Sequence, residues 1–201
     1  MTMVIAVLPV SRRFIRSKFF PPAPANISIP LPITNGLVSY WPADGNADDI
    51  VGGNSGDMMN GAAYRPGVSG QAFSFDGVDD FMVAPATGLP IGNSDRTMTL
   101  WVMADSFTSS NLVDTPEEFF CGYGRFGVFT QSYVLGSGAT YVFVTNWGKG
   151  ISGGVLETDR WYHVAAVTRG NITSLYVNGL FKKGVTLDIN TPADTQFLGG
   201  R

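Results

Sequence analysis

The stretch "RWYHVAAVTRGNITSLYVNGLFKKG", residues 160–184, constrains this chain more than any other. Its apolar residues alternate with a period of two, as strands require, and show no helical period. Two tight-turn pairs, Gly170-Asn171 and Asn178-Gly179, interrupt the alternation. Gly and Asn tolerate positive φ, so each pair folds the chain back into an antiparallel neighbour. A segment of this kind belongs to a sheet.

The rest of the chain has the same texture. "GQAFSFDG", "DFMVAP", "RTMTLWVMAD", "EFFCGYG", "FGVFTQSYVL" and "ATYVFVTNWG" read as further strands between Gly, Asn and Asp turns. The turn Gly77–Asp80 predicts a hairpin between the first two, and a first strand is expected near Leu37. Hydrophobic residues make up 44% of 201, enough for a sizeable core. The expectation is an all-β, two-sheet antiparallel sandwich.

Charge divides the chain. Residues 1–34 hold Arg12, Arg13, Arg16 and Lys18, no acid and a run of prolines, and read as a Pro-rich leader or linker. Residues 35–201 form the domain, with nine bases against sixteen acids. An acidic domain does not suit nucleic acid, whose binding rests on phosphate neutralisation. No run is long enough for a membrane span. The N-terminal apolar stretch precedes its charges, the reverse of a signal peptide.

Three segments resemble one family. "GLVSYWPADGNADDIVGGNSGDMMNGAAYRPGVSGQAFSFDGVDDFMVAP", "TMTLWVMAD" and "RWYHVAAVTRGNITSLYVNGLFK", in this order, are similar to laminin-G-like, concanavalin-A-like jelly-roll domains. The resemblance implies a jelly roll, a non-catalytic binding or adhesion role toward carbohydrate or glycoprotein, an extracellular or cell-surface setting, and other domains in a longer chain. It also implies core positions for Trp41, Trp101 and Trp161. The family's closing "IDEVRIY"-like strand does not follow "FLGGR". The domain is therefore expected to be C-terminally truncated, with an unpaired edge at Leu37–Trp41, unless "NISIPLPI" covers it.

Chemistry-bearing residues are few. Asp44, Asn46 and Asp49 in "DGNADD" offer hard oxygen atoms around a glycine, the donor type calcium needs. The same residues suit a network of Asx turns. Asp76, Asp79 and Asp80 read as a second acidic turn. Tyr123 and Trp147 are the aromatic candidates for a sugar site. The only glutamates are Glu117, Glu118 and Glu157, none in the Glu-x-Asp-x-x-Glu spacing of the glycoside hydrolases that share this sandwich. One Cys and one His leave little for a thiolate, imidazole or triad site. The expectation is no enzyme and no cofactor beyond calcium. A spacer or assembly domain, or a polysaccharide hydrolase, are the alternatives.

Overall fold

The computed structural model describes residues 2–4, 36–76, 78–103, 118–123, 126–132, 140–146, 149–187, 190–191 and 196–198. Their strands, numbered in chain order, form two antiparallel sheets of seven. The first runs β13 (Leu180–Thr186), β12 (Ile172–Val177), β11 (Tyr162–Arg169), β6 (Arg96–Met103), β1 (Thr2–Val4), β4 (Gln71–Ser74), β3 (Ala63–Pro66). The second runs β10 (Lys149–Leu156), β9 (Thr140–Asn146), β8 (Phe126–Ser132), β7 (Glu118–Tyr123), β14 (Gln196–Leu198), β5 (Phe81–Ala84), β2 (Asp57–Met59). The all-β sandwich expected from the alternation is what forms.

Both expected turns of the 160–184 stretch are present. Arg169 pairs Ile172 across Gly170-Asn171, and Val177 pairs Leu180 across Asn178-Gly179. Asn178 and Gly179 adopt φ of 52° and 75°, a conformation whose twist matches that of the flanking strands. Asn178 also bonds back to His163, its Oδ1 accepting the His163 N–H at 2.9 Å and its own N–H donating to the His163 carbonyl at 2.7 Å.

Alternation decides which side chains enter the core. Tyr162, Val164, Ala166 and Thr168 of β11 are buried, while His163, Ala165 and Val167 between them are half-buried. Leu100 and Val102 of β6, Phe73 of β4 and Leu175 of β12 join Met82 and Ala84 of β5 in one cluster between the sheets. Each such large side chain contributes about 1.5–3 kcal/mol by leaving water. Trp41 is part of this core.

Trp101 and Trp161 are not. They are half-buried and pack with Tyr40 around Ala72 in a separate cluster. Trp101 lies between the core residues Leu100 and Val102 in β6, so strand alternation turns it to the outer face of the sheet.

Three further expectations are corrected. β4 and β5 are not a hairpin: they belong to different sheets, and the chain crosses between the sheets after Phe75. Leu37–Tyr40 is not a ladder strand. Hydrogen bonds to the following loop hold it instead, with Ile50 N–H donating to the Tyr40 carbonyl at 3.0 Å. Thr2–Val4, expected in the leader, sits inside the first sheet, with Met3 opposite both Phe73 and Val102. "NISIPLPI" lies outside the described residues. Among those described, no helix is long and apolar enough to cross a membrane.

Candidate functional site

The loop after Trp41 is organised around Asp49, which is only 5% exposed. Its Oδ1 accepts the N–H groups of Tyr40 at 2.8 Å, Gly52 at 2.9 Å and Val51 at 3.1 Å. Its Oδ2 accepts the Asn54 N–H at 3.1 Å and the Asn54 side-chain amide at 3.3 Å. Burial works to raise the pKa of this carboxyl. The donors of Tyr40, Gly52, Asn54 and Val51 outweigh burial and hold it below the usual carboxylate range. Asn54 extends the network, donating to Ser39 Oγ and the Thr87 carbonyl and accepting the Thr87 N–H. Its own carbonyl accepts the Trp41 indole N–H at 3.0 Å.

The other two expected calcium ligands lie elsewhere in this loop. Asp44 is exposed and accepts the Gln71 N–H at 2.8 Å, pinning the loop to the start of β4. Asn46 is exposed and accepts the Asp48 N–H at 3.2 Å in a local Asx turn. All three residues thus serve backbone donors. Of the sugar-site candidates, Trp147 lies outside the described residues. Tyr123 ends β7 opposite Phe126 and Gln196, and only its backbone is described.

A concave site forms at the opposite acidic turn. A cavity of about 290 Å³ is lined by Asn60, Gly61, Ala63, Arg65, Ser74, Phe75, Asp76 and Asp80. Its floor is the β3–β4 ladder, where Ala63 pairs Ser74. One wall is the β2–β3 turn, in which Asn60 and Gly61 both have positive φ. The other is the segment that carries the chain to the second sheet. Asn60 ties the walls together by donating from Nδ2 to the Asp79 carbonyl at 2.8 Å.

Asp76 organises the second wall. Its Oδ1 accepts the N–H groups of Val78 at 2.8 Å, Asp79 at 3.3 Å and Asp80 at 3.5 Å. These bonds, that of Val78 foremost, hold its pKa below the ordinary value. Asp80 is 6% exposed and its Oδ2 accepts the Asp76 N–H at 2.9 Å. Ligand atoms of Asp76, Asp79 and Asp80 lie within 4.8 Å of one another. Among the described residues, no other set of three acidic, His or Cys side chains converges this way. Sequence reading saw this turn but not its convergence, because the burial of Asp80 comes from packing rather than spacing.

The lone histidine has a structural setting. Thr99 Oγ1 donates its one hydrogen to the Val164 carbonyl at 3.1 Å. With its hydrogen placed there, it accepts from His163 at 2.6 Å and the ring carries its proton on Nε2; with its hydrogen turned to Nε2, the ring is the Nδ1–H tautomer. Burial lowers the His163 pKa, and its ring lies 5.3 Å from that of Trp101.

No curated protein matches the chain. Among solved structures, domain 4 of AbnA, a GH43 extracellular arabinanase from Geobacillus stearothermophilus in complex with arabinotriose, is similar at a TM-score of 0.59 and 20% identity, over 80% of each chain. The binding domain of Paraclostridial Mosquitocidal Protein 1 is similar at a TM-score of 0.57 and 12% identity, over 77% of this chain and 42% of that one. At such identities the likeness is one of fold. The sequence itself matches the concanavalin A-like lectin/glucanases superfamily over residues 76–201, and the chain belongs to that superfamily.

Proposed function

We propose that this domain is a non-catalytic carbohydrate-binding module of an extracellular, multidomain protein. The observation that carries the reading is the cavity on β3 and β4. It is lined by residues with an amide, a hydroxyl, a guanidinium and carboxylates: Asn60, Ser74, Arg65, Asp76 and Asp80. Planar amide, carboxylate and guanidinium groups meet arrays of sugar hydroxyls with paired hydrogen bonds. A concave site with a few convergent polar groups is where small ligands bind. The fold shared with an arabinotriose-bound domain of an extracellular enzyme supports the same reading. Glycoprotein glycans present the same hydroxyl chemistry. The scarcity of glutamate argues against hydrolysis.

The test is calorimetric titration of arabinotriose and a panel of neutral and acidic oligosaccharides. Asn60→Ala and Asp80→Asn should each weaken any binding found by about tenfold or more, the loss of one or two ligand hydrogen bonds. Absence of binding across a glycan array rejects the proposal. Turnover of a polysaccharide rejects its non-catalytic part. An assembly role is the second reading, favoured by Leu180 and Phe181, which are 63% and 59% exposed on the edge strand β13.

A further inference from the structure

We infer that the edge strand β13 of one copy of this chain docks on the loop after Trp41 of a second copy, so that the chain associates head to tail. The strand surface is Leu180 and Phe181, 63% and 59% exposed, followed by the exposed Lys182 and Lys183. Neither lysine has an ion-pair partner among the described residues. The Phe181 ring is held edge-on to that of Tyr176 at 5.7 Å. The loop surface is Ile50 and Val51, 58% and 43% exposed, with Val38 on the adjacent segment at 37%. Asp49 fixes this loop through the N–H groups of Tyr40, Val51 and Gly52. Apolar side chains grouped in water, rather than scattered singly, mark a contact surface. Both groups are held in place beforehand, so binding costs little ordering.

Charge selects the partner. Asp44 and Asp48 belong to the same loop as Ile50 and are exposed, so the loop surface is apolar with acidic neighbours. The strand surface is apolar with basic neighbours. Two strand surfaces would set lysine against lysine, and charge on an edge strand is what keeps such strands from pairing with themselves. Two loop surfaces would set acid against acid. The unlike pair matches apolar to apolar and base to acid. The two surfaces of one copy are too far apart to meet. Asp44 pins the loop to Gln71 in β4, and β4 lies five strand spacings of about 4.8 Å from β13 in the same sheet. A contact between unlike surfaces leaves one of each free at the ends, so it repeats from copy to copy. Few side chains take part, which makes each contact weak, with a dissociation constant of roughly tens to hundreds of micromolar.

The contact rests on the assembly reading and not on the sugar site, and it is tested without sugar. Sedimentation velocity of the full chain from about 1 µM to about 1 mM should show the mean mass rising with concentration, past that of a dimer at the top of the range. Salt at about 1 M should weaken the association severalfold, because exposed charges are then screened beyond about 3 Å. Phe181→Asp and Ile50→Asp each change an exposed side chain, so both should melt as the wild type does on circular dichroism. Each alone should stay monomeric. Mixed in equal amounts they should form dimers and nothing larger, because each copy keeps the surface that the other lacks. A wild-type chain that stays monomeric up to about 1 mM overturns the inference. So does association that survives either substitution, or a mixture of the two folded variants that stays monomeric.

Discussion

Asp49 accepts the backbone N–H of Tyr40 at 2.8 Å, from nine residues upstream, with the same oxygen that closes the turn at Val51 and Gly52. One carboxylate therefore replaces the ladder partner that Leu37–Tyr40 does not have among the described residues. Hydrogen bonds to a charged acceptor are worth about 1.5–3 kcal/mol each, and several are lost together on truncation. Asp49→Ala should destabilise the domain by roughly 3–5 kcal/mol, the range for breaking a buried charged network. Asp49→Asn, which keeps the shape but not the charge, should cost less. Equal urea midpoints for wild type and Asp49→Ala would show that the loop is held by something else.

The pH dependence of stability follows from the same residue. The folded Asp49 pKa lies below the unfolded one, so its contribution is complete above the ordinary carboxylate value of about 3.9. It is lost as pH falls from there through the lowered folded value. Melting temperatures measured down an acid series should fall less steeply for Asp49→Asn than for wild type. Parallel curves would remove Asp49 as the source.

Trp41 and Trp101 should respond unequally to the same change. The Trp41 N–H donates to Asn54 inside the core, so Trp41→Phe leaves a buried carbonyl unpaired and should cost about 1–3 kcal/mol. The Trp101 N–H is buried with no partner among the described residues, so Trp101→Phe removes an orphan donor along with some apolar area. The net change should stay within about 1 kcal/mol. Chemical denaturation of both variants checks the contrast, and a larger loss at Trp101 would refute it.

His163 should titrate below an ordinary histidine, because burial disfavours its charged form. As pH falls below about 6.5 the unfolded chain takes the proton first, so stability drops until the folded pKa is passed. Nitrogen chemical shifts of the ring should report the Nε2–H tautomer at neutral pH. A ring found as Nδ1–H would show that the Thr99 hydroxyl donates to Nε2 rather than to the Val164 carbonyl.

Gly52 is needed for close approach rather than for backbone freedom. A Cβ there would lie 2.5 Å from the Val38 carbonyl oxygen, 2.6 Å from Ser39 Oγ and 2.7 Å from Asp49 Oδ2. Gly52→Ala should therefore cost about 1–3 kcal/mol, the range for overpacking. A neutral effect on the melt would mean that the loop can give way.

What the sequence made legible was local. Gly170-Asn171 and Asn178-Gly179 carry their turn geometry in their own chemistry, and the alternation of β11 states its two faces. What stayed hidden depends on distant partners. The turn after Phe75 has the residues of a hairpin, but nothing local says that β5 joins the other sheet. Trp101 sits in a strand apolar on both faces, so its side could not be chosen from pattern alone. Asp44, Asn46 and Asp49 look equivalent in "DGNADD", yet of these three only Asp49 is buried, by the Ser39 and Asn54 contacts around it. Thr2–Val4 is too short to carry a strand signature, and only its pairing with β4 and β6 defines it.

The tight turns of β11, β12 and β13 also set an order in time. Within this meander, paired residues such as Arg169 and Ile172 are near neighbours in the chain, so closing the ladder loses little entropy. The ladder from β11 to β6 joins residues 60 to 72 positions apart, and β1 reaches across nearly one hundred to meet β6. Local pairings form fast and distant ones slowly. Because the meander follows β1–β10 in the chain, a ribosome delivers those strands before the fast-forming part of the sheet exists. Until then β6 lacks its β11 partner, and β1, which pairs with β6 across nearly one hundred residues, is among the last strands to find its place.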